Sequence, residues 1–142
     1  MDAKRFATGT LVGGVVLYVV GYLMFTVAFA SFYAANGGSA TGVDRSGELV
    51  WAVALGNLAY AALIMFVLGN RGRSLSIGDA AWVGATVGFL IWFTADFTIY
   101  GITNVANLTR TVVDPLLEIV HGGIGGAAIA AVLKAIPASV RS

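Results

Sequence analysis

The chain has no cysteine, only two prolines, one histidine, and charged residues amounting to 11% of its length. Without cysteine there is no disulfide, no thiol nucleophile and no thiolate metal site, although the compartment stays open. Two prolines, with nineteen glycines set inside apolar segments, exclude a disordered chain, which would carry them in polar low-complexity tracts. An average soluble domain is roughly 25% charged, and no water-soluble fold of 142 residues needs to be 58% hydrophobic. A net charge of +1 with no basic cluster excludes a nucleic-acid surface.

Long apolar runs take the place of charge. Four stretches approach or exceed the ~20 residues that cross a bilayer core: Phe6 to Tyr33, Leu49 to Leu68, Ala80 to Ile102 and Val113 to Ile136. Barrel strands are shorter and alternate, and open strands cannot satisfy their backbone groups in lipid. The expected fold is therefore all-α: a polytopic membrane protein whose residues 1–142 form one compact bundle of four transmembrane helices. Lys4 and Arg5 ahead of an apolar run, with Ala28-Phe29-Ala30 behind it, resemble a secretion signal. The run exceeds the roughly 7 to 15 residues of a signal core, so it is expected to be the first transmembrane helix.

Three loops separate the spans: Ala34 to Gly47 with Asp44 and Arg45, Gly69 to Asp79 with Arg71 and Arg73, and Thr103 to Val112 with Arg110. Basic residues collect on the cytoplasmic side of short-loop membrane proteins. Lys4, Arg5, Arg71, Arg73, Lys134 and Arg141 fall on one side and Arg45 and Arg110 on the other, so both termini are expected in the cytoplasm and the chain in the cell inner membrane. Trp51, Trp82, Tyr33 and Tyr100 stand near span ends as an interfacial belt, with Trp92 deeper.

Small residues four apart recur at Gly9 and Gly13, Ala52 and Gly56, Gly84 and Gly88, and Gly122 and Gly126. They let helix backbones approach closely, whether inside the bundle or on a homodimer surface. The two halves show no internal repeat, against the duplicated-half transporters. Transport through so few helices would require an oligomer.

Charge inside a span is the functional lead, because an Asp at a helix centre costs about 2.5 to 3.5 kcal/mol on insertion scales and is rarely placed there without a use. Asp114-Pro115 is expected to open the last helix, Asp accepting from free N–H groups and Pro losing no needed donor. Glu118 and His121 then share one face with Asp114, about 6 and 10 Å further inward at 1.5 Å per residue. Asp96 lies about 9 Å from Ile102 on the antiparallel third helix, on the face of Trp92 and Tyr100. Asp96, Tyr100, Glu118 and His121 are expected to meet in the outer half of the bundle, with Glu48 at the mouth of the second helix and Asn57 deeper in it. Carboxylates sharing a low-dielectric site repel one another, and a protonated His121 favours their charged forms. The cluster serves either as a proton or ion site or as a hydrogen-bonded latch that fixes helix register.

Glu118-Ile119-Val120-His121 also has the Glu-x-x-His spacing of carboxylate-bridged di-metal bundles, which need two such motifs and two further glutamates. One histidine and two glutamates are too few. No cofactor is predicted, and the composition leaves room only for a single divalent metal on Asp96, Glu118 and His121. A macrocycle ligated by His121 over Gly122, Gly123, Gly125 and Gly126 would lack a second axial histidine, and no motif ties Ser31, Ser39 or Ser46 to His121 as a nucleophile. Asn107-Leu108-Thr109 is a formal glycosylation sequon.

The segment Tyr100-Gly101-Ile102-Thr103-Asn104-Val105-Ala106-Asn107-Leu108 resembles a family of small, uncharacterised bacterial four-span membrane proteins. There the third helix ends in a Tyr-Asp-Leu-Thr-Asn-Leu-Ala-x-Leu type segment, and a final helix opens with an acidic and small residues. The likeness covers about the last 60 of the 142 residues, with Gly101 standing where the pattern has Asp. It implies a four-helix inner-membrane protein and no particular activity. Three functions stay open: a small membrane protein that binds or passes protons, a cation or a small solute, working as an oligomer; a non-catalytic accessory subunit of a larger membrane complex; and a single-metal membrane enzyme. The partners expected are the lipid bilayer and other copies or chains of a membrane assembly.

Overall fold

Apolar length and capping side chains set where the helices run. The computed structural model describes residues 3–69 and 76–136. They form α1 (Ala3–Gly21), a π-helical segment (Tyr22–Ala28), α2 (Ala30–Ala35), α3 (Val50–Gly69), α4 (Ile77–Ile102) and α5 (Leu108–Ala135). Four helices are long and apolar enough to cross a membrane, the first being α1 continued through the π-helical segment to Ala28. The only β pairing among the described residues is one isolated bridge, Gly37 to Ala106. Arg71, Arg73 and Arg141 lie outside the described residues.

Two helices begin earlier than their apolar runs because a polar residue caps them. Ser76 and Asp79 form a reciprocal capping box that starts α4 at Ile77: the Asp79 N–H donates to Ser76 Oγ at 3.0 Å and the Ser76 N–H to Asp79 Oδ2 at 3.2 Å. Asn107 Oδ1 accepts from the Arg110 N–H at 2.9 Å and starts α5 at Leu108. Asp114 therefore does not cap the last helix. It lies nearly two turns inside, followed by Pro115, whose missing N–H leaves the Thr111 carbonyl without its helical donor.

In lipid there is no hydrophobic drive between helices, so contact depends on close packing. The α4–α5 pair achieves it with backbone against backbone. A Cβ added at Gly84 would strike the Gly122 carbonyl, one at Gly122 the Gly84 carbonyl, and one at Gly126 the Ala80 carbonyl. Gly9 and Gly13 of α1 receive Met65 and Ile129. Gly56 meets nothing within 4 Å among the described residues, so this glycine is not spent on a helix contact there. Leu17, Ile64, Met65 and Ile129 are fully buried at the centre of the apolar core, whereas Trp51 and Trp82 point outward near span ends at 65% and 71% exposure.

Both ends of the bundle are tied. The Arg5 guanidinium donates to the Ile136 carbonyl, joining the start of α1 to the end of α5. At the opposite end, the α2–α3 and α4–α5 loops are stitched by Gly38 N–H to Val105 O at 3.1 Å, Ala40 N–H to Asn104 O at 3.0 Å and Asn107 N–H to Asn36 O at 3.3 Å. Asn107 Nδ2 adds a bond to Asn36 Oδ1 at 3.1 Å. With both amide atoms engaged, Asn107 holds these loops together at the residue of the formal sequon.

Candidate functional site

His121 sits halfway along α5, and Leu17 of α1 and Tyr60 of α3 are likewise central in their spans. Counted along α5 at 1.5 Å per residue, His121 is about 20 Å from Leu108. The pair of His121 and Glu118 therefore lies at mid-bundle rather than in the outer half. Both residues are buried, with 4% and 2% exposure.

The i,i+3 spacing on α5 brings His121 Nδ1 to 2.9 Å from Glu118 Oε2. The other ring nitrogen, Nε2, is 2.8 Å from the Leu17 carbonyl oxygen. A carbonyl only accepts, so Nε2 carries a hydrogen. One proton then remains between Nδ1 and Oε2, and wherever it resides the pair as a whole is neutral. A lone charge at this depth has no such compensation.

Three aromatic and glycine positions hold the imidazole in place. Phe25, from the π-helical segment, meets it edge-on with ring centroids 5.5 Å apart, and Tyr60 does the same from α3 at 5.8 Å. Gly21 leaves the space: a Cβ there would lie 3.2 Å from Nε2. The π-helical register, seen in the Phe29 N–H bond to Met24 O five residues back at 2.8 Å, adds the extra residue that follows Gly21 and precedes α2. The Tyr60 hydroxyl reaches Glu118 Oε2 at 3.4 Å through a gap that exists because residues 88 and 122 are glycine.

The other sequence-predicted residues go elsewhere. Asp96 does not join Glu118 and His121, because the rotation of α4 turns it toward Asp114. Tyr100 is 41% exposed on the outside of α4. Glu48 accepts from the Tyr18 hydroxyl at 3.5 Å on the surface, and the Asn57 amide turns back onto Val53 O of its own helix at 2.9 Å. Among the described residues no three His, Asp or Glu side chains are grouped to hold a metal ion, and the Asp96, Glu118 and His121 set is not assembled. Gly122, Gly125 and Gly126 offer no open face to a macrocycle, being packed on α4 and Leu17.

Asp96 and Asp114 instead line a cavity of about 360 Å³ under the stitched loops, together with Tyr33, Trp92, Arg110 and Asp44. The Tyr33 hydroxyl donates to Asp114 Oδ1, and the Arg110 guanidinium lies over the Tyr33 ring, 4.9 Å from its centroid. Tyr33 is thus a wall of this cavity rather than a belt residue. Asp96 Oδ2 is closed off from solvent with no hydrogen-bond partner. Asp114 and Glu118 are four residues apart on α5, so one helical turn separates the cavity from the buried pair.

Tyr33, Tyr60, Phe25 and the Leu17 carbonyl were not found from sequence. Tyr60 carried a usable signal, because a phenol in the middle of an apolar span needs a hydrogen-bond partner. Comparison with protein-family models, with curated proteins and with solved structures finds no match for this chain.

Proposed function

We propose that this is an integral membrane protein whose Glu118–His121 pair releases its one shared proton and takes it back from the side of the stitched loops. The observation that carries the proposal is the mid-bundle pair itself: one imidazole nitrogen is committed to the Leu17 carbonyl, and the other shares a single proton with Glu118. Asp114 and the cavity above it give that proton an approach by one helical turn. On the far side, Leu17, Ile64, Met65 and Ile129 close the way with fully buried apolar side chains, so a single chain in this arrangement binds protons without conducting them. The bias of basic residues supports an orientation with both termini inside and the cavity on the non-cytoplasmic face of an inner membrane.

Protein reconstituted in proteoliposomes and given an external pH step is the test. Wild type is expected to show proton uptake together with infrared bands from a carboxyl and an imidazole that change as a pair. If Glu118→Gln and His121→Ala take up protons as wild type does, the proposed role is lost.

Assembly into an oligomer or a larger membrane complex is the second reading. It rests on Gly56, an exposed glycine of α3 that no described residue packs against. Purification in mild detergent should then yield a species larger than the 14.6 kDa chain; a homogeneous monomer would remove the second reading and leave the first.

A further inference from the structure

We infer that the cavity beneath the stitched loops is a binding site for a small organic ammonium ion that carries an apolar group. Its volume of about 360 Å³ falls within the roughly 300 to 1,000 Å³ of small-molecule sites. The charge balance of its lining selects the sign of the ligand: Asp44, Asp96 and Asp114 face Arg110 alone. Arg110 rests on the Tyr33 ring, which leaves Asp96 Oδ2 buried and without a donor. An acceptor atom cut off from water costs its desolvation penalty until something donates to it. An ammonium N–H group supplies that donor and the missing positive charge together.

The rest of the wall separates an organic cation from a metal ion. Trp92 and Ile99 line the cavity beside Asp96, giving an apolar surface and a π face of the kind that attracts organic cations. A hard divalent cation asks for six or more oxygen ligands, and no three acidic or histidine side chains are grouped for it among the described residues. The inference does not depend on proton uptake at Glu118 and His121.

The probe is phenethylammonium, and its neutral counterpart of similar shape is 2-phenylethanol. Both are titrated into protein in nanodiscs in a Trp51→Phe, Trp82→Phe background, so that Trp92 is the only fluorophore of its type. Phenethylammonium is expected to change Trp92 emission saturably, at least tenfold more tightly than the alcohol, and Asp96→Asn is expected to weaken it at least tenfold. Ile99→Trp, read by calorimetry, fills the cavity with all carboxylates retained and is expected to abolish binding even if Asp96→Asn folds poorly. The proposal is overturned if no saturable binding occurs, if the alcohol binds as well as the ammonium, if Ile99→Trp retains wild-type affinity, or if calcium displaces the probe at lower concentration than the probe itself binds.

Discussion

The imidazole of His121 on α5 donates from Nε2 to the carbonyl of Leu17 on α1, 2.8 Å away and 104 residues earlier in the chain. A helix carbonyl has a second lone pair, so α1 accepts this bond without giving up its own ladder. The bond fixes which imidazole nitrogen faces Glu118, and it joins two helices at mid-bundle through a polar contact.

Removing half of the pair should be costly, because a buried charge or unpaired acceptor is left behind. His121→Ala is expected to destabilise the protein by about 3 to 5 kcal/mol, the usual loss on breaking a buried pair. Replacing both partners with apolar residues of similar volume, Glu118→Leu with His121→Leu, should recover most of that loss. Unfolding in mixed SDS micelles measures both. A double variant as unstable as His121→Ala would mean that packing, not charge compensation, holds this site.

Tyr60 tests the same site from α3. Tyr60→Phe keeps the ring that meets His121 edge-on and removes only the hydroxyl that reaches Glu118 Oε2 at 3.4 Å. The expected loss is about 1 kcal/mol, typical of one hydrogen bond. The same unfolding assay reads it, and a loss as large as that of His121→Ala would make the phenol a principal support of the pair.

The four spans were legible in the sequence because length and apolar content alone decide whether a helix can cross a bilayer. Glu118 and His121 were also legible as neighbours, since i,i+3 spacing on a helix needs no tertiary knowledge. Asp96 was not, because periodicity identifies a helical face without fixing which neighbour that face meets. Its true companion, Asp114, was hidden by a second misplacement: Asp114-Pro115 has the composition of a helix start, yet Asn107 caps α5 seven residues earlier. The aromatic setting of His121 depends on Phe25 in the π-helical segment, a register that no residue pattern in Tyr22–Ala28 announces.

Glycines of equal spacing are predicted to respond in opposite ways. Gly84→Ala puts a methyl onto the Gly122 carbonyl and forces α4 and α5 apart, with an expected cost of about 1 to 3 kcal/mol or more, as for an overpacked core. Gly56→Ala adds a methyl into open space on α3 and replaces a poor helix former, so it should be neutral or stabilising by up to about 1 kcal/mol in the monomer. Equal effects at the two positions, measured by unfolding in SDS micelles, would contradict the packing described. A Gly56→Ala variant that also lost a higher-order species in mild detergent would identify α3 as its contact surface.

Gly37 and Gly38 give the sharpest contrast, because they are adjacent and only one of them is confined. A Cβ at Gly38 would strike the Asn104 carbonyl, while one at Gly37 meets nothing within 4 Å. Neither has a positive φ, so the difference is steric and not conformational. Gly38→Ala should break the bonds from Gly38 to Val105 and from Ala40 to Asn104, whereas Gly37→Ala should leave them intact. Asn107→Ala should act like Gly38→Ala and add about 1 kcal/mol of lost helix capping. Hydrogen exchange at the Ala40 amide reports the outcome: faster exchange is expected in Gly38→Ala and Asn107→Ala, and wild-type exchange in Gly37→Ala. Because these loops roof the cavity that contains Asp96 and Asp114, the two variants that loosen them should also weaken phenethylammonium binding. Loosened loops with unchanged binding would place the ligand's contacts on the helices alone.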